Sequence, residues 1–495
     1  MATNTKTASP EVFSQSRVAR NAAIYFFGQI FTWLINIVTI SIIPRALGET
    51  AMGQFAFAMT TASTVQTLLT LGGDNFLTKE VGRDRNLSAQ LLSGLFGLRI
   101  FLIPLLALIT YLTFYVLKAD AVTWQLGHLL IIACVVALFA DPLRAVLLGW
   151  EEAKQITLLD TVFVLIPLLT IPFLRYGIIT QAIATVLSYC IVFAFRYQWI
   201  QRHIAIRPAF HFDLWNTLVR GGLPFLVNNL MLQLSAFIAL AILRHQADID
   251  AVGVYSQARR LFGTFLFIPT AIGMALLPSL ARLAEVGEAE FRQLQSRVLI
   301  LLMVLALPIT TTVMVLARPI SHLLYGAHAF QDMPAVLQMY ALAILPMYVV
   351  TAMYQFLVAQ NRGGTWTRFL IASIGIYSLI AWFLVPYTEH TFRSGAIGAV
   401  LATCFSELLS VVFAFILLQN NPLNAETLSR LFRALVATLG MVAVMRLTQN
   451  LFLLIPVVLG FITFALLAWV LRVLTPEEQQ KVTALIRRAF RMPAR

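Results

Sequence analysis

Runs of about twenty apolar residues follow one another almost without a gap along this 495-residue chain. A hydrocarbon core about 30 Å thick takes about 20 such residues in a helix that rises 1.5 Å per residue. A chain built this way has lipid as its solvent. Composition agrees, with 59% hydrophobic and only 12% charged residues, where a soluble domain needs roughly 25% charged residues to face water. The reading is all-α: a polytopic membrane protein with about fourteen spanning helices and no sizeable soluble domain.

Polar, Pro or Gly breaks set the expected spans at 22–43, 53–73, 92–116, 126–148, 157–177, 178–198, 222–243, 252–280, 297–324, 333–358, 367–387, 394–418, 430–447 and 451–473. The net charge of +13 would raise nucleic acid as the partner of a soluble protein; here its placement matters instead. With the N-terminus in the cytoplasm, the inner segments and tails collect 24 of the 35 Lys and Arg residues, from Lys6, Arg17 and Arg20 to Arg488, Arg491 and Arg495. The outer segments hold Arg45, Lys118, Arg175, Arg244, Arg318, Arg393 and Arg446. That asymmetry follows the positive-inside rule and predicts both termini in the cytoplasm, with the chain in the cell (inner) membrane. A polar first stretch and a long first apolar run predict no cleavable signal peptide.

The chain repeats itself. Met52-Gly53-Gln54-Phe55-Ala56-Phe57-Ala58 opens the second span, and Val252-Gly253-Val254-Tyr255-Ser256-Gln257-Ala258 opens the eighth. Leu148-Gly149-Trp150-Glu151 after the fourth span answers Ala359-Gln360-Asn361-Arg362 after the tenth, and Ala184-Thr185 answers Ala402-Thr403. The expected organisation is two pseudo-symmetric six-helix lobes, 1–205 and 206–420, then two further helices in 421–474 and a basic amphipathic tail, 475–495. Six spans per half make the halves parallel, related by an axis along the membrane normal, as in secondary transporters.

Charges at bilayer depth are costly and mark function or pairing. Arg99, Arg144, Arg259 and Arg260 lie within spans, with Asp141, Asp160 and Glu407 at similar depth and Asp74 at the inner end of the second span. Asp141 and Arg144, three apart on one helix face, are placed to neutralise each other; with Asp160, they are the candidates for ion coupling or a salt bridge. Arg259 and Arg260 point about 100° apart, so one pairing cannot hide both. They, with Arg99, are the candidates for a cationic cavity wall that binds an anion such as phosphate. No catalytic motif, nucleophile–base set or metal-ligand spacing occurs, so neither an enzyme nor a cofactor or metal site is expected. Cys134, Cys190 and Cys404 sit in apolar runs as packing residues.

Prolines at 104, 167, 172, 269, 308 and 346, and Gly221-Gly222-Leu223-Pro224, are candidate hinges. Thr475-Pro476-Glu477-Glu478 predicts a capped helix start, and Val482, Leu485, Ile486 and Phe490 then form an apolar face against basic residues. Phe212-Asp213-Leu214-Trp215 is a shorter amphipathic piece.

Several segments resemble the polysaccharide-transporter and oligosaccharide-flippase branch of the multidrug/oligosaccharidyl-lipid/polysaccharide exporter superfamily. They are Pro44-Arg45-Ala46-Leu47-Gly48, Leu71-Gly72-Gly73, Arg220-Gly221-Gly222-Leu223-Pro224-Phe225, Leu277-Pro278-Ser279-Leu280 and Arg318-Pro319-Ile320, with the two repeat motifs above. The resemblance runs over about residues 17–420 and implies a two-lobe fold that moves a polyprenyl-diphosphate-linked oligosaccharide to the outer leaflet for surface polysaccharide. It implies Arg260, Arg259 and Arg99 as diphosphate ligands, and a glycan polymerase and glycosyltransferases as partners of a monomer. Two alternatives stay open: a cation-coupled multidrug or metabolite exporter, and a lipid II flippase, although residues 22–43 lack the charges of that flippase's first helix.

Overall fold

The computed structural model describes residues 15–480, apart from 327–328, 361, 419–423 and 477. Among the described residues the chain is helical throughout, with no strand. The helices are α1 (Gln15–Leu69), α2 (Gly73–Arg83), α3 (Ser88–Val116), α4 (Ala121–Gly149), α5 (Ala153–Leu169), α6 (Ile179–Gln201), α7 (Phe212–Gln246) and α8 (Ile249–Phe265). They continue as α9 (Phe267–Val286), α10 (Glu288–Val315), α11 (Ala317–Tyr325), α12 (Met333–Ala359), α13 (Gly363–Phe392), α14 (Gly395–Leu417), α15 (Ala425–Thr448) and α16 (Leu454–Val470). Among the described residues ten are long and apolar enough to cross a membrane, and α16 is a shorter apolar helix.

Every expected span falls on a helix or a helix pair, and the differences have local causes. The first two spans join as α1, which bends at Gly48, where φ is 82° and ψ 174°; a side chain rarely takes that conformation. The eighth span breaks after Phe265, three residues before Pro269, whose ring fits a helix's first turn but not its interior. The ninth stops at Val315 and restarts as α11, with Pro319 again in the opening turn. The piece at Phe212–Trp215 is the first turn of α7, and it packs on protein: Trp215 sits 5.5 Å from the Phe101 ring, and Leu214 lies over Gly94.

The chain forms two compact units. The first comprises Met1–Thr39 and Thr61–Leu230. Its centre is α4, packed by α2, α3, α5 and α6, around buried Leu92, Leu143, Val146, Leu147 and Ile200. Lipid gives no hydrophobic drive for helices to associate, so close packing has to do it. Gly72 and Gly222 show how: a Cβ on Gly72 would lie 2.0 Å from the Gly222 carbonyl oxygen, so only two glycines allow this crossing.

The second unit comprises Ile40–Thr60 and Met231–Arg495. Its centre is α12, packed by α8, α9, α10 and α14. A face of small residues on α14, including Ala396, Gly398, Ala399, Ala402 and Thr403, is buried, and a Cβ on Gly398 would meet the Leu384 carbonyl of α13 at 2.6 Å. Gly53 and Gly253 cross as tightly: a Cβ on Gly253 would lie 2.0 Å from the Glu49 carbonyl. The pair α15–α16 packs on α10 through Ala434, Ala437, Met441 and Phe464. The capping box is present, with the Thr475 N–H donating to Glu478 (2.8 Å) and the Glu478 N–H donating to the Thr475 hydroxyl (3.3 Å). Arg430 ties this turn to α15 through Glu478 and through the Val473 carbonyl at 2.8 Å. The apolar face from Val482 to Phe490 lies outside the described residues.

Candidate substrate site

Arg99, Arg144 and Arg196 of the first unit are each held in an ion pair. Arg99, on α3 and 1% exposed, places Nη2 2.8 Å from Asp74 Oδ1 and donates a second bond to the Leu138 carbonyl of α4. Asp160 of α5 is held from two sides, by Arg144 Nη2 at 3.0 Å and by Arg196 Nη2 at 2.7 Å. Asp141 instead accepts from Gln66 Nε2 at 3.2 Å. Arg144 therefore reaches across to α5 for its carboxylate, although Asp141 stands three residues away on its own helix. Arg196, counted in the sequence with the inner basic residues, is buried within α6 and completes this network.

In the second unit Arg259 and Arg260 part company. Arg260 is exposed, with Tyr325 as its electrostatic neighbour. Arg259 is half-buried beside the Tyr255 hydroxyl, with Tyr340 and Tyr377 near it. It lines a cavity of about 400 Å³. Among the described residues, no carboxylate lies within 4 Å of either guanidinium.

Five helices build this cavity: α7 brings Met231 and Ser235, α8 Arg259, α12 Tyr340, α13 Tyr377 and α14 Glu407. Tyr255 and Arg259 stand four apart on α8, so the phenol is on the same face as the guanidinium. Phe262 stacks on Tyr340, with centroids 4.2 Å apart, and stiffens the wall. Ser410 donates to the Ser406 carbonyl at 2.8 Å, and Ser406 to the Ser373 carbonyl at 3.4 Å, so hydroxyls line the α13–α14 side. The tyrosines were not singled out as site residues in the sequence. A signal for this wall was there: Thr403, Glu407 and Ser410 recur at helical spacing in an otherwise apolar span.

Chemically the cavity is cationic at one wall and hydroxyl-rich at another, with aromatic packing behind both. It provides no metal cluster, for no group of three His, Cys, Asp or Glu suited to a metal occurs among the described residues.

Comparison with known families decides what kind of membrane protein carries this site. The family model described as Polysaccharide biosynthesis protein matches residues 18–284, just over half of the chain. The chain belongs to that polysaccharide transporter family, within the multidrug/oligosaccharidyl-lipid/polysaccharide exporter superfamily. A second family model of this transporter group, Lipid II flippase MurJ, matches residues 156–471, which takes in the last two helices. Among solved structures, the fold is similar to the lipid II flippase MurJ in an inward closed conformation, at 13% identity and TM-score 0.68, covering 92% of this chain and 99% of that one. It is also similar to an inward-facing multidrug resistance MATE family transporter of the same superfamily, at 16% identity and TM-score 0.63, covering 78% and 94%. A superfamily transporter from Pyrococcus furiosus, described as having a binding pocket of reverse polarity, is similar at 15% identity and TM-score 0.52, covering 81% and 94%. No curated protein matches the chain. The transporter is thus a multi-pass membrane protein of the lipid-linked flippase class.

Proposed function

We propose that this transporter carries a polyprenyl-diphosphate-linked oligosaccharide from the inner to the outer leaflet of the cytoplasmic membrane by alternating access, for assembly of a surface polysaccharide. Its termini lie in the cytoplasm, and the two lobes are duplicated halves of six spans. A sugar's hydroxyls cannot cross hydrocarbon unsatisfied, and a diphosphate requires charge-assisted donors in a fixed geometry. The observation that carries the reading is Arg259: a guanidinium within the expected eighth span, lining a cavity, with no carboxylate within 4 Å among the described residues. Arg260, next along α8, is exposed and does not line this cavity, so Arg259 is the proposed diphosphate ligand. Arg99, committed to Asp74 and to the Leu138 carbonyl, serves by holding α2, α3 and α4 together. The flipped product is then available to a glycan polymerase outside, and glycosyltransferases supply the substrate inside.

The test is lipid flipping by the purified chain in vesicles, using a fluorescent polyprenyl diphosphate that bears a short glycan and a dye quencher outside. Flipping is expected in the parent protein and at least about tenfold slower in Arg259→Ala, with unfolding unchanged. If no diphosphate-linked glycan moves, while vesicles expel a cationic dye in a manner that Asp141→Asn abolishes, the exporter reading replaces this one. Transport of lipid II alone would select the lipid II alternative.

A further inference from the structure

An anion on Arg259 leaves half of the cavity in the second unit without a purpose. Glu407 of α14 lines the same space. No cation stands within 4 Å of it, and no hydrogen bond reaches it, among the described residues. A site made only for diphosphate has no use for a carboxylate, which repels what Arg259 attracts and is costly at this depth. Tyr377, 8% exposed, lines the cavity as well, with its hydroxyl buried beside that of Tyr255.

The cavity thus presents three functions together: a multiple donor on Arg259 with no carboxylate within 4 Å, a strong acceptor on Glu407 with no cation within 4 Å, and a hydroxyl on Tyr377, among the described residues. Few ligands answer all three. Pyrophosphate leaves Glu407 repelled, a lipophilic cation leaves Arg259 repelled, and an acyl or prenyl chain satisfies neither. A pyranose ring next to an anionic group answers each one, because its hydroxyls donate to a carboxylate and accept from a phenol while the anion takes the guanidinium. The volume, about 400 Å³, lies at the small end of ligand sites of about 300–1,000 Å³ and suits one small unit rather than a whole glycan.

We infer that this cavity is a subsite for a single glycosyl unit with an adjacent anion, the ring held by Glu407 and Tyr377 and the anion by Arg259. The inference rests on the flippase reading above, and adds which part of the cargo is read and by what. The anion has two possible sources, a phosphate on the anomeric carbon or a carboxylate on the ring.

The test is thermal unfolding of the full chain in detergent with four probes: glucose 1-phosphate, glucuronic acid, glucose and inorganic pyrophosphate. One of the first two is expected to raise the midpoint well beyond glucose or pyrophosphate at equal concentration, and which one does so names the source. Glu407→Gln and Tyr377→Phe should each weaken that probe's affinity by about tenfold, while pyrophosphate's is unchanged in Tyr377→Phe and rises in Glu407→Gln, which removes the repelling charge. Tyr377→Phe removes a single hydroxyl, and its unfolding midpoint without any probe, read beside the parent's, separates lost binding from lost folding. Equal protection by pyrophosphate and by glucose 1-phosphate, unaltered in Glu407→Gln, would reduce the cavity to an anion site. Protection by none of the probes would end the proposal too. Both of those results leave the flipping assay, and the reading beneath it, standing.

Discussion

The two units pack their helices by the same scheme and differ in how they hold the arginines singled out in the sequence. In the first, α4 lies at the centre with α3 and α6 against it; in the second, α12 lies at the centre with α10 and α14 against it. These are the third, fourth and sixth of the expected spans and the ninth, tenth and twelfth. In the first unit, Arg99, Arg144 and Arg196 each reach a carboxylate at 3.0 Å or less. In the second, Arg259 and Glu407 share a cavity with no ion pair for either among the described residues. Pairing makes a charge structural. A charge left open in the membrane holds its place through what it binds, so the architecture is shared while the work is divided.

The contrast breaks first at Arg99. Arg99→Met leaves Asp74 without its guanidinium, and removing one partner of a buried pair costs about 3–5 kcal/mol. The double variant Arg99→Met with Asp74→Asn should recover most of that, as measured by thermal unfolding in detergent. Arg259→Met should cost far less by the same measurement, since no partner is stranded; equal losses would erase the distinction between the units. The next effect is steric. Gly253→Ala puts a Cβ 2.0 Å from the Glu49 carbonyl, and such overpacking costs about 1–3 kcal/mol. Gly375→Ala, with nothing within 4 Å of its Cβ, should instead stabilise α13 by up to about 1 kcal/mol. Smaller again is Thr475→Ala, which removes the hydroxyl that accepts from the Glu478 N–H, a loss of about 1 kcal/mol for a cap. It should first increase proteolysis beyond that turn.

Much of this fold was legible in the sequence, because lipid imposes a length and a polarity on each span that hydropathy alone detects. What was not legible depends on partners in space. Asp141 and Arg144 look like a pair at i and i+3, yet Asp160 and Arg196 come from α5 and α6 to redraw it. The different directions of Arg259 and Arg260 follow from helix geometry, but which one meets the cavity depends on where α12, α13 and α14 lie. Gly53 and Gly253 stood out as matching marks of a repeat; that they cross each other is a contact that no one-dimensional pattern expresses. Glu407 was visible as an acid at depth, and only its shared cavity with Arg259 makes it a site residue.

The smallest predicted effect concerns acids that crowd together in a turn outside the spans. Glu49 follows the bend at Gly48, with Asp250 and Asp332 nearby, and Asp250 accepts from the Thr50 hydroxyl at 2.5 Å. Burial first, then the charges of Asp250 and Asp332, push the Glu49 carboxyl above its ordinary range, while a backbone hydrogen bond from Phe330 pulls the other way. An acid whose affinity for protons rises on folding stabilises the fold when protonated. The contribution is therefore fully present below the unfolded value of about 4.3 and fades as pH rises through the higher folded value. Unfolding midpoints should accordingly fall slightly between pH 4 and 7 in the parent (a window set about that ordinary value), and fall less in Glu49→Gln, which stays neutral throughout. A steeper fall in the variant would mean that Glu49 is stabilised as the anion. The crowding of acids in the second unit would then be relieved by a contact that these residues do not show, and the contrast with the paired acids of the first unit would narrow.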